Sequence, residues 1–271
     1  LPWMPASELR GALGYQVQDL LPIPVEDVVL DYHPIEEFVG DGGSRMVRAL
    51  LVAADAAMLE RNLDVVRAAG MRPDIVDLTS FALLRTATLA SRSGMQSEED
   101  AQHEALVDVG ATITNIVVHS SGVPRFVRIL TLGGDDVTEA LGERLGIAHE
   151  EAESLKCSAG DWATGEEADA ETIERRVLET GIGTLVEEIR GSLDYYRAQS
   201  GAHPLNRILL SGGGALLAGL PDHLSAAVRL PVVGAPSMVA IPHQKTISEE
   251  LAERADPFSV VAIGLALRRA A

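Results

Sequence analysis

The feature that most constrains the fold of this chain is a pair of short apolar segments joined by a tight turn. The pattern predicts strands at Ala105–Val109 and Ile113–Val118. The residues between them are small or polar, as a tight turn requires: Gly110, Ala111 and Thr112.

A carboxylate lies at the end of the first of these strands. Asp108 is followed by small residues, which let backbone N–H groups approach a bound anion closely. The hydroxyls of Thr112 and Thr114 are further hydrogen-bond donors. Amides and hydroxyls suit phosphate oxygens, and a carboxylate suits Mg²⁺ or its waters, so the stretch predicts a site for a metal-bound phosphate. An ordinary hairpin with a polar turn would show the same local pattern.

Two more glycine turns follow predicted buried strands. Gly133 and Gly134 come after the strand Arg125–Leu130, and Ser211 with Gly212, Gly213 and Gly214 comes after Arg207–Leu210. Between them, Glu153 and Lys156 are three residues apart on a predicted helix and therefore share one face. They are either part of a site beside the glycine turns or a solvated surface pair.

The charge balance limits the classes of partner. Acidic residues outnumber basic ones 40 to 22, for a net charge of −18. Nucleic acids and anionic membranes attract clustered Lys and Arg, so we expect no nucleic-acid partner and no direct membrane insertion. The single cysteine, Cys157, excludes an internal disulfide and favours a reducing, cytoplasmic location. Because the chain starts with Leu1, we expect it to begin inside a longer gene product.

The first quarter of the chain predicts a small strand–strand–helix–strand module. Its elements are strands at Asp27–His33 and Met46–Ala53, a helix that Asp55 caps and Gly70 ends, and a strand at Asp74–Leu78. A helix at Ser80–Ala90 and a linker at Ser91–Asp100 are predicted next.

The remaining elements are mainly helical. The sequence predicts a helix capped by Asp135, a helix at His149–Lys156, an exposed loop at Cys157–Glu171, a helix at Glu171–Gln199 and a short strand at Pro231–Gly234. Asp256-Pro257 predicts the start of the last helix, because proline is favoured at the first helical position.

These motifs together resemble the actin-like ATPase superfamily. Val107-Asp-Val-Gly-Ala-Thr-Ile-Thr114 is similar to its second phosphate hairpin, and Leu209-Leu-Ser-Gly-Gly-Gly-Ala215 to its adenosine motif. Ala152-Glu-Ser-Leu-Lys156 resembles the Glu-x-x-Lys helix that packs on ribose and adenine in bacterial members. The resemblance implies an α/β, two-lobed, ribonuclease H-like fold that binds ATP and Mg²⁺, with Asp108 holding the metal.

A narrower resemblance covers nearly the whole chain. Leu1-Pro-Trp-Met-Pro-Ala-Ser-Glu-Leu9, Pro22-Ile-Pro-Val-Glu-Asp-Val-Val-Leu-Asp31 and Leu132-Gly-Gly134 are similar to the type IV pilus assembly proteins of the PilM family. Membership implies a small FtsA-type α+β module, called subdomain IC, at 15–73. It also implies these other subdomains: IA at 1–14, 74–101 and 256–271, IIA at 102–159 and 202–255, and IIB at 160–201.

One motif of the superfamily has no counterpart in this chain. The first phosphate hairpin is an Asp-x-Gly-Ser/Thr turn after an apolar strand. Asp41-Gly-Gly-Ser44 follows Pro34-Ile-Glu-Glu instead, so we interpret it as a connecting turn. Without the first hairpin, we expect this chain by itself to bind nucleotide weakly.

The family resemblance also implies a partner. It implies docking of the N-terminal cytoplasmic tail of the inner-membrane protein PilN, contact with other platform and motor proteins, and a peripheral place at the inner membrane. We predict that the tail binds at Tyr15, Leu20, Leu21 and Ile23, unless these residues only pack the module onto the rest of the protein. A sugar- or acetate-type kinase of the same superfamily is the alternative function. It would need a general base, and no carboxylate stands out as one. A filament-forming role stays open.

Overall fold

The computed structural model describes residues 1–92, 103–162, 172–199, 201–235 and 248–268. The chain divides into two compact units. Leu1–Val76 forms the first, and the second begins at Asp77.

The first unit is a two-stranded sheet with two helices. Helix α1 spans Ala6–Val17, strands β1 and β2 span Val28–Val39 and Arg45–Asp55, and helix α2 spans Ala56–Ala68. The strands are antiparallel, and a bulge at Pro34/Glu36 interrupts their register. Leu9, Leu13 and Val17 form the buried face of α1.

The residues Asp41–Ser44 form the turn between β1 and β2. The amide of Gly40 donates to the carbonyl of Ser44 (2.8 Å), and Gly42 and Gly43 have φ angles of 88° and 80°. Such angles are strained for residues with a Cβ, which explains the two glycines. The prediction of a connecting turn here is confirmed.

One expectation for this part of the chain was wrong. No strand forms at Asp74–Leu78, so the described module is strand–strand–helix. Residues 1–14, predicted from sequence to belong to subdomain IA, lie in the first compact unit with residues 15–76. The backbone of Leu1–Trp3 bonds to Arg45 and Val47 along the free edge of β2. The subdomain boundaries stay predictions.

The second unit contains a five-stranded mixed sheet. Its strands are β3 (His103–Val109), β4 (Thr114–Ser120), β5 (Val123–Leu130), β6 (Arg207–Ser211) and β7 (Val232–Gly234), in the order β5-β4-β3-β6-β7. The neighbours β3/β4 and β4/β5 are antiparallel, whereas β3/β6 and β6/β7 are parallel. The predicted hairpin is confirmed, with β4 starting one residue later than expected.

Helices cover both faces of this sheet. They are α3 (Thr79–Arg92), α4 (Gly134–Leu145), α5 (His149–Trp162), α6 (Ile173–Arg197), α7 (Leu220–Val228) and α8 (Glu249–Ala266). Val107 and Ile208 belong to the core on the side of α4, α6 and α7. Leu106, Val117 and Leu209 face the other way, against buried residues of α3 and α8. Side chains of a strand alternate between faces, so neighbouring residues enter opposite cores.

Three helix boundaries differ from the prediction. Helix α5 continues past Lys156 to Trp162, so part of the expected loop at Cys157–Glu171 is helical. The rest of that loop, 163–171, lies outside the described residues, and so does most of the linker predicted at Ser91–Asp100. Helix α8 starts at Glu249, and Pro257 lies inside it rather than at its start. The N-cap residue of α4 is Gly133 rather than Asp135, and Oδ2 of Asp136, in the first turn, accepts the amide of Gly133 (2.7 Å).

Within the described part of the chain, no helix combines the length and the apolar character needed to cross a membrane.

Candidate functional site

Asp108 lies in a row of three polar side chains that crosses the sheet at one end. It pairs with Asn115 on β4 and with Ser211 on β6. The hydroxyl of Ser211 donates to Oδ1 of Asp108 (2.9 Å). Strand alternation puts all three side chains on the face that α3 and α8 cover.

Burial decides the acidity of this carboxylate. Asp108 is only 9% exposed. Burial raises the pKa of its carboxyl, while the hydrogen bonds from Ser211 and Asn115 lower it, and the net direction is upward. A buried carboxylate that accepts hydrogen bonds from two neutral side chains is poorly compensated when it is ionised. A cation or its hydration shell would supply the compensating positive charge, so this position suits a metal.

The turn between β3 and β4 is fixed against the start of α4. The amide of Gly134 donates to the carbonyl of Gly110 (2.9 Å), and the amide of Asp135 donates to that of Ala111 (2.7 Å). A Cβ on Gly133 would lie 2.3 Å from the Ala111 oxygen, so only glycine fits there. Gly133 and Gly134 therefore make the contact between turn and helix possible.

This docking changes which donors face a ligand. The first amides of α4 are engaged by the turn, and the hydroxyl of buried Thr114 donates to the carbonyl of Leu132 (2.8 Å). Thr114 thus holds β4 to the segment before α4, and in this structure its hydroxyl donates within the protein, so its predicted contact with phosphate stays a prediction. Ala111 and Thr112 are exposed at the tip of the turn, where their amides and the Thr112 hydroxyl are accessible.

Glu153 and Lys156 form an ion pair on α5 in which the lysine is mostly buried and the glutamate side chain is 44% exposed. The Lys156 ammonium is 2.6 Å from Glu153 Oε2, donates to the carbonyl of Gly134 (2.9 Å) and to the Thr138 hydroxyl (2.7 Å), and is 10% exposed. Burial alone would raise the pKa of the Glu153 carboxyl, but hydrogen bonds from Lys156 and Thr138 outweigh it and lower the pKa. The pair ties α5 to the first turn of α4, beside the glycines that hold the β3–β4 turn.

The glycine turn after β6 packs on the end of β3. Gly212 has a φ of 85°, and a Cβ there would lie 2.3 Å from the carbonyl oxygen of Val109. A Cβ on Gly214 would lie 2.2 Å from Cγ1 of the same valine. These contacts set the turn next to Asp108, so the structure brings the β3–β4 turn, the start of α4 and the turn after β6 together at one end of the sheet.

Two groups at this site were missed from the sequence. Asn115 could have been found from the sequence, because the hairpin register pairs Val109 with Thr114 and therefore Asp108 with Asn115. Phe258 was not: its ring approaches Gly213, with Cε1 3.2 Å from where a Cβ of that glycine would be. Only the tertiary packing of α8 brings residues so distant in sequence together.

No cluster of three or more His, Cys, Asp or Glu side chains suited to a metal occurs among the described residues. A cation at Asp108 would therefore be held by that carboxylate, water and a ligand's own oxygens. Such sparse protein ligation is ordinary for Mg²⁺ bound with a nucleotide, so the residues present fit that group.

The predicted partner residues separate into two sets in the first unit. Leu20 lines a cavity of about 290 Å³ whose walls come from α1, the turn after it, and the two strands: Leu13, Val17, Tyr32, Phe38 and Leu51. Tyr15, Leu21 and Ile23 do not line it. Leu20 and Tyr15 are 72% and 86% exposed.

Charged groups stand at the mouth of this cavity. The Arg48 guanidinium lies over the Phe38 ring, 5.5 Å from its centroid, and donates to Glu36 Oε1 (2.6 Å). The cavity is thus an apolar groove with a polar rim, a form suited to an apolar side chain from an extended peptide. We call it the α1–β1–β2 groove.

Comparison with protein families gives one match of nearly full length. The profile of the family described as "Type IV pilus assembly protein PilM" matches residues 4–270.

Curated proteins and solved structures extend this likeness. The cell division protein FtsA of Bacillus subtilis is 26% identical over 177 residues, 61% of this chain but only 38% of that protein. A solved structure titled "PilM-PilN type IV pilus biogenesis complex" is 28% identical, with a TM-score of 0.83 over 99% of this chain and 74% of the other. MreB5 of Spiroplasma citri bound to AMPPNP is 15% identical, with a TM-score of 0.52 over 79% of this chain and 64% of that one. The fold is therefore actin-like, as predicted.

Proposed function

Since this chain belongs to the PilM family of type IV pilus assembly proteins, we propose that it is a nucleotide-binding scaffold of the pilus assembly platform that holds the N-terminal cytoplasmic tail of PilN. The likeness to a solved PilM–PilN complex over 99% of the chain is the observation that carries this proposal. Through that tail the protein would stand at the inner membrane and connect the platform with the pilus motor.

The nucleotide would bind at the sheet end that carries Asp108. Asp108 would hold Mg²⁺ through water, and the exposed amides of Ala111 and Thr112 would bind phosphate oxygens. The glycine turn at Gly212–Gly214 would leave room for the base, and Glu153 and Lys156 would border the ribose. Magnesium supplies charge neutralisation for the phosphates; the protein residues position them.

The role we propose for nucleotide is to shift a population rather than to be turned over. A ligand changes a conformational equilibrium only by its difference in affinity for the two states. This role distinguishes the scaffold from the alternative, a sugar- or acetate-type kinase, which would need a general base to take a proton from an acceptor.

The PilN tail would bind in the α1–β1–β2 groove. The groove is apolar at its floor, and Leu20 is exposed at its wall. An extended tail could fill it with one or two apolar side chains while its backbone follows the strands. Tyr15, Leu21 and Ile23, which lie close to it in sequence, would contact flanking parts of the tail.

A labelled peptide separates docking from packing. Leu20→Asp places a charge on the groove wall, and because Leu20 is 72% exposed the melting temperature should stay within about 2 °C. The affinity for a fluorescent PilN-tail peptide, followed by anisotropy, should fall at least about tenfold, since the charge would be desolvated beside the bound peptide.

The matched control is Val65→Asp. Val65 is 70% exposed on α2 of the same unit and does not line the groove. It should leave peptide affinity unchanged. If Leu20→Asp bound the peptide with wild-type affinity, the groove would not be the binding site. If the variant lost stability and peptide binding together, Leu20 would be a packing residue.

A further inference from the structure

Phe258 is an exposed aromatic side chain that the fold does not explain. It lies on α8, one residue after Pro257, and 61% of its surface is exposed. The buried side of the same helix enters the sheet core through Val260, which is 3% exposed. Phe258 is therefore not part of the hydrophobic core.

Its position is set by the glycine turn after β6. The amide of Gly212 donates to the carbonyl of Pro257 (2.8 Å), so the turn and α8 are joined one residue from the ring. Cε1 and Cδ1 of Phe258 lie 3.2 and 3.8 Å from where a Cβ of Gly213 would be. The ring thus rests on the bare backbone of Gly213, and a side chain there would push it away.

A second exposed apolar group lies on the same turn. Leu216 ends the 3₁₀ segment Gly213–Leu216 and is 61% exposed. Phe258 and Leu216 are thus both accessible, the first against Gly213 and the second at the end of the segment that Gly213 begins. Asp108 lies at the end of the neighbouring strand, bonded to Ser211, the residue before the turn. A carboxylate for a metal-bound phosphate and an aromatic surface are therefore set on the same side of the sheet.

We propose that Phe258 is the residue against which the purine base of a bound nucleotide stacks. The inference rests on the proposed nucleotide site and adds a base-binding side chain to it. Aromatic rings stack on the faces of bases through dispersion and apolar burial, and such contacts carry a large share of base affinity. The ring is held from behind by Gly213 and its remaining surface is open, which is the arrangement a stacking residue needs.

The test compares a ligand that has a base with one that has none. Calorimetry measures the affinities of Mg·ATP and of magnesium tripolyphosphate for the wild type and for Phe258→Ala. Loss of stacking should weaken Mg·ATP by about tenfold and leave tripolyphosphate affinity unchanged, because the phosphate contacts do not involve the ring. Leu265→Ala, on the same helix and 46% exposed, is the matched control and should change neither affinity.

A gain-of-signal variant gives a second readout. Phe258→Trp should keep Mg·ATP affinity, and its fluorescence should be quenched by ATP and not by tripolyphosphate. Equal Mg·ATP affinity in wild type and Phe258→Ala, with both ligands bound, would overturn the stacking role and leave the nucleotide site standing. Absence of both ligands from the wild type would overturn the nucleotide site and the stacking role together.

Discussion

At the scale of single residues, Asp108 combines a cost in stability with a role in binding. Burial raises the pKa of its carboxyl above the usual value near 3.8. A carboxyl with a raised folded pKa stabilises the fold fully below its unfolded pKa, and this contribution is lost as pH rises through the folded pKa. Ionisation of this buried group as the pH rises therefore lowers the free energy of unfolding.

Asp108→Asn should separate the two effects. Asn keeps an acceptor for Ser211 and removes the buried charge, so the melting temperature at pH 7 should rise, and the gain should disappear below about pH 4. The Mg²⁺-dependent affinity for nucleotide should fall at least about tenfold. Asp41→Asn, in the exposed β1–β2 turn, is the control and should change neither quantity. A lower melting temperature in Asp108→Asn at pH 7 would contradict this view of the carboxylate.

Gly212 is a residue at which the structure tolerates a side chain poorly. Its φ of 85° strains any L-residue, and a Cβ would meet the backbone of Val109 at 2.3 Å. Gly212→Ala should lower the free energy of unfolding by more than about 2 kcal/mol in urea denaturation. Gly183→Ala on α6, where a Cβ meets nothing within 4 Å, should instead raise it by about 0.5–1 kcal/mol. Similar effects of the two changes would show that the turn relaxes freely.

At the scale of elements, the β3–β4 turn depends on how α4 begins. Asp136 accepts the amide of Gly133, while Asp135 bonds through its side chain to exposed His149. Asp136→Ala should cost about 1 kcal/mol of stability and loosen the turn that Gly133 and Gly134 hold. Asp135→Ala should cost clearly less, since exposed pairs contribute little. Urea denaturation of both variants measures the two losses in the free energy of unfolding. A larger loss in Asp135→Ala would support Asp135 as the cap, as predicted from the sequence.

Sequence analysis predicted elements whose causes are local. The β3–β4 hairpin follows from its strand pattern and small turn residues, and the side chain of Asp55 caps α2 as expected by accepting the amide of Met58. The failures have tertiary causes. Asp256-Pro257 looks like a helix start, yet α8 continues through the proline because its face packs against α3 and the sheet. The positive φ of the turn after β6 belongs to Gly212, where Val109 of another strand leaves no room for a Cβ, and no local pattern reports that contact.

The same limit applied to the candidate site. The motifs located Asp108 and the three glycine turns, because each turn needs particular residues at fixed spacing. They did not show that α4's first amides and the Thr114 hydroxyl are already bonded within the protein. Those bonds join segments distant in sequence, so no local pattern reports them. Phe258 was missed for the same reason.

At the scale of the whole molecule, the two units differ in how much core holds them. The hydrophobic residues of the first unit that are at least nine-tenths buried are few: Leu9, Leu13, Val17 and Val47. The second unit buries both faces of its five-stranded sheet. Local stability increases with the amount of buried apolar contact, so the first unit should be the less stable of the two. Elements that bind partners often lie in the less stable part of a fold.

Hydrogen exchange should resolve this difference. Amides bonded between β1 and β2 should exchange at least about tenfold faster than those between β3 and β4, a difference of about 1.4 kcal/mol in opening free energy. Opening of the first unit exposes less surface than global unfolding does. The opening free energy of the β1–β2 amides should therefore fall less steeply with low concentrations of urea than the opening free energy of the β3–β4 amides. Short β7 is an internal control for edge effects: among the described strands it pairs with β6 alone, and its amides should exchange quickly at every urea concentration. If the β1–β2 and β3–β4 amides showed the same opening free energy and the same dependence on urea, the units would unfold together. The stability of the groove in the first unit could then not be changed independently of the sheet that carries Asp108.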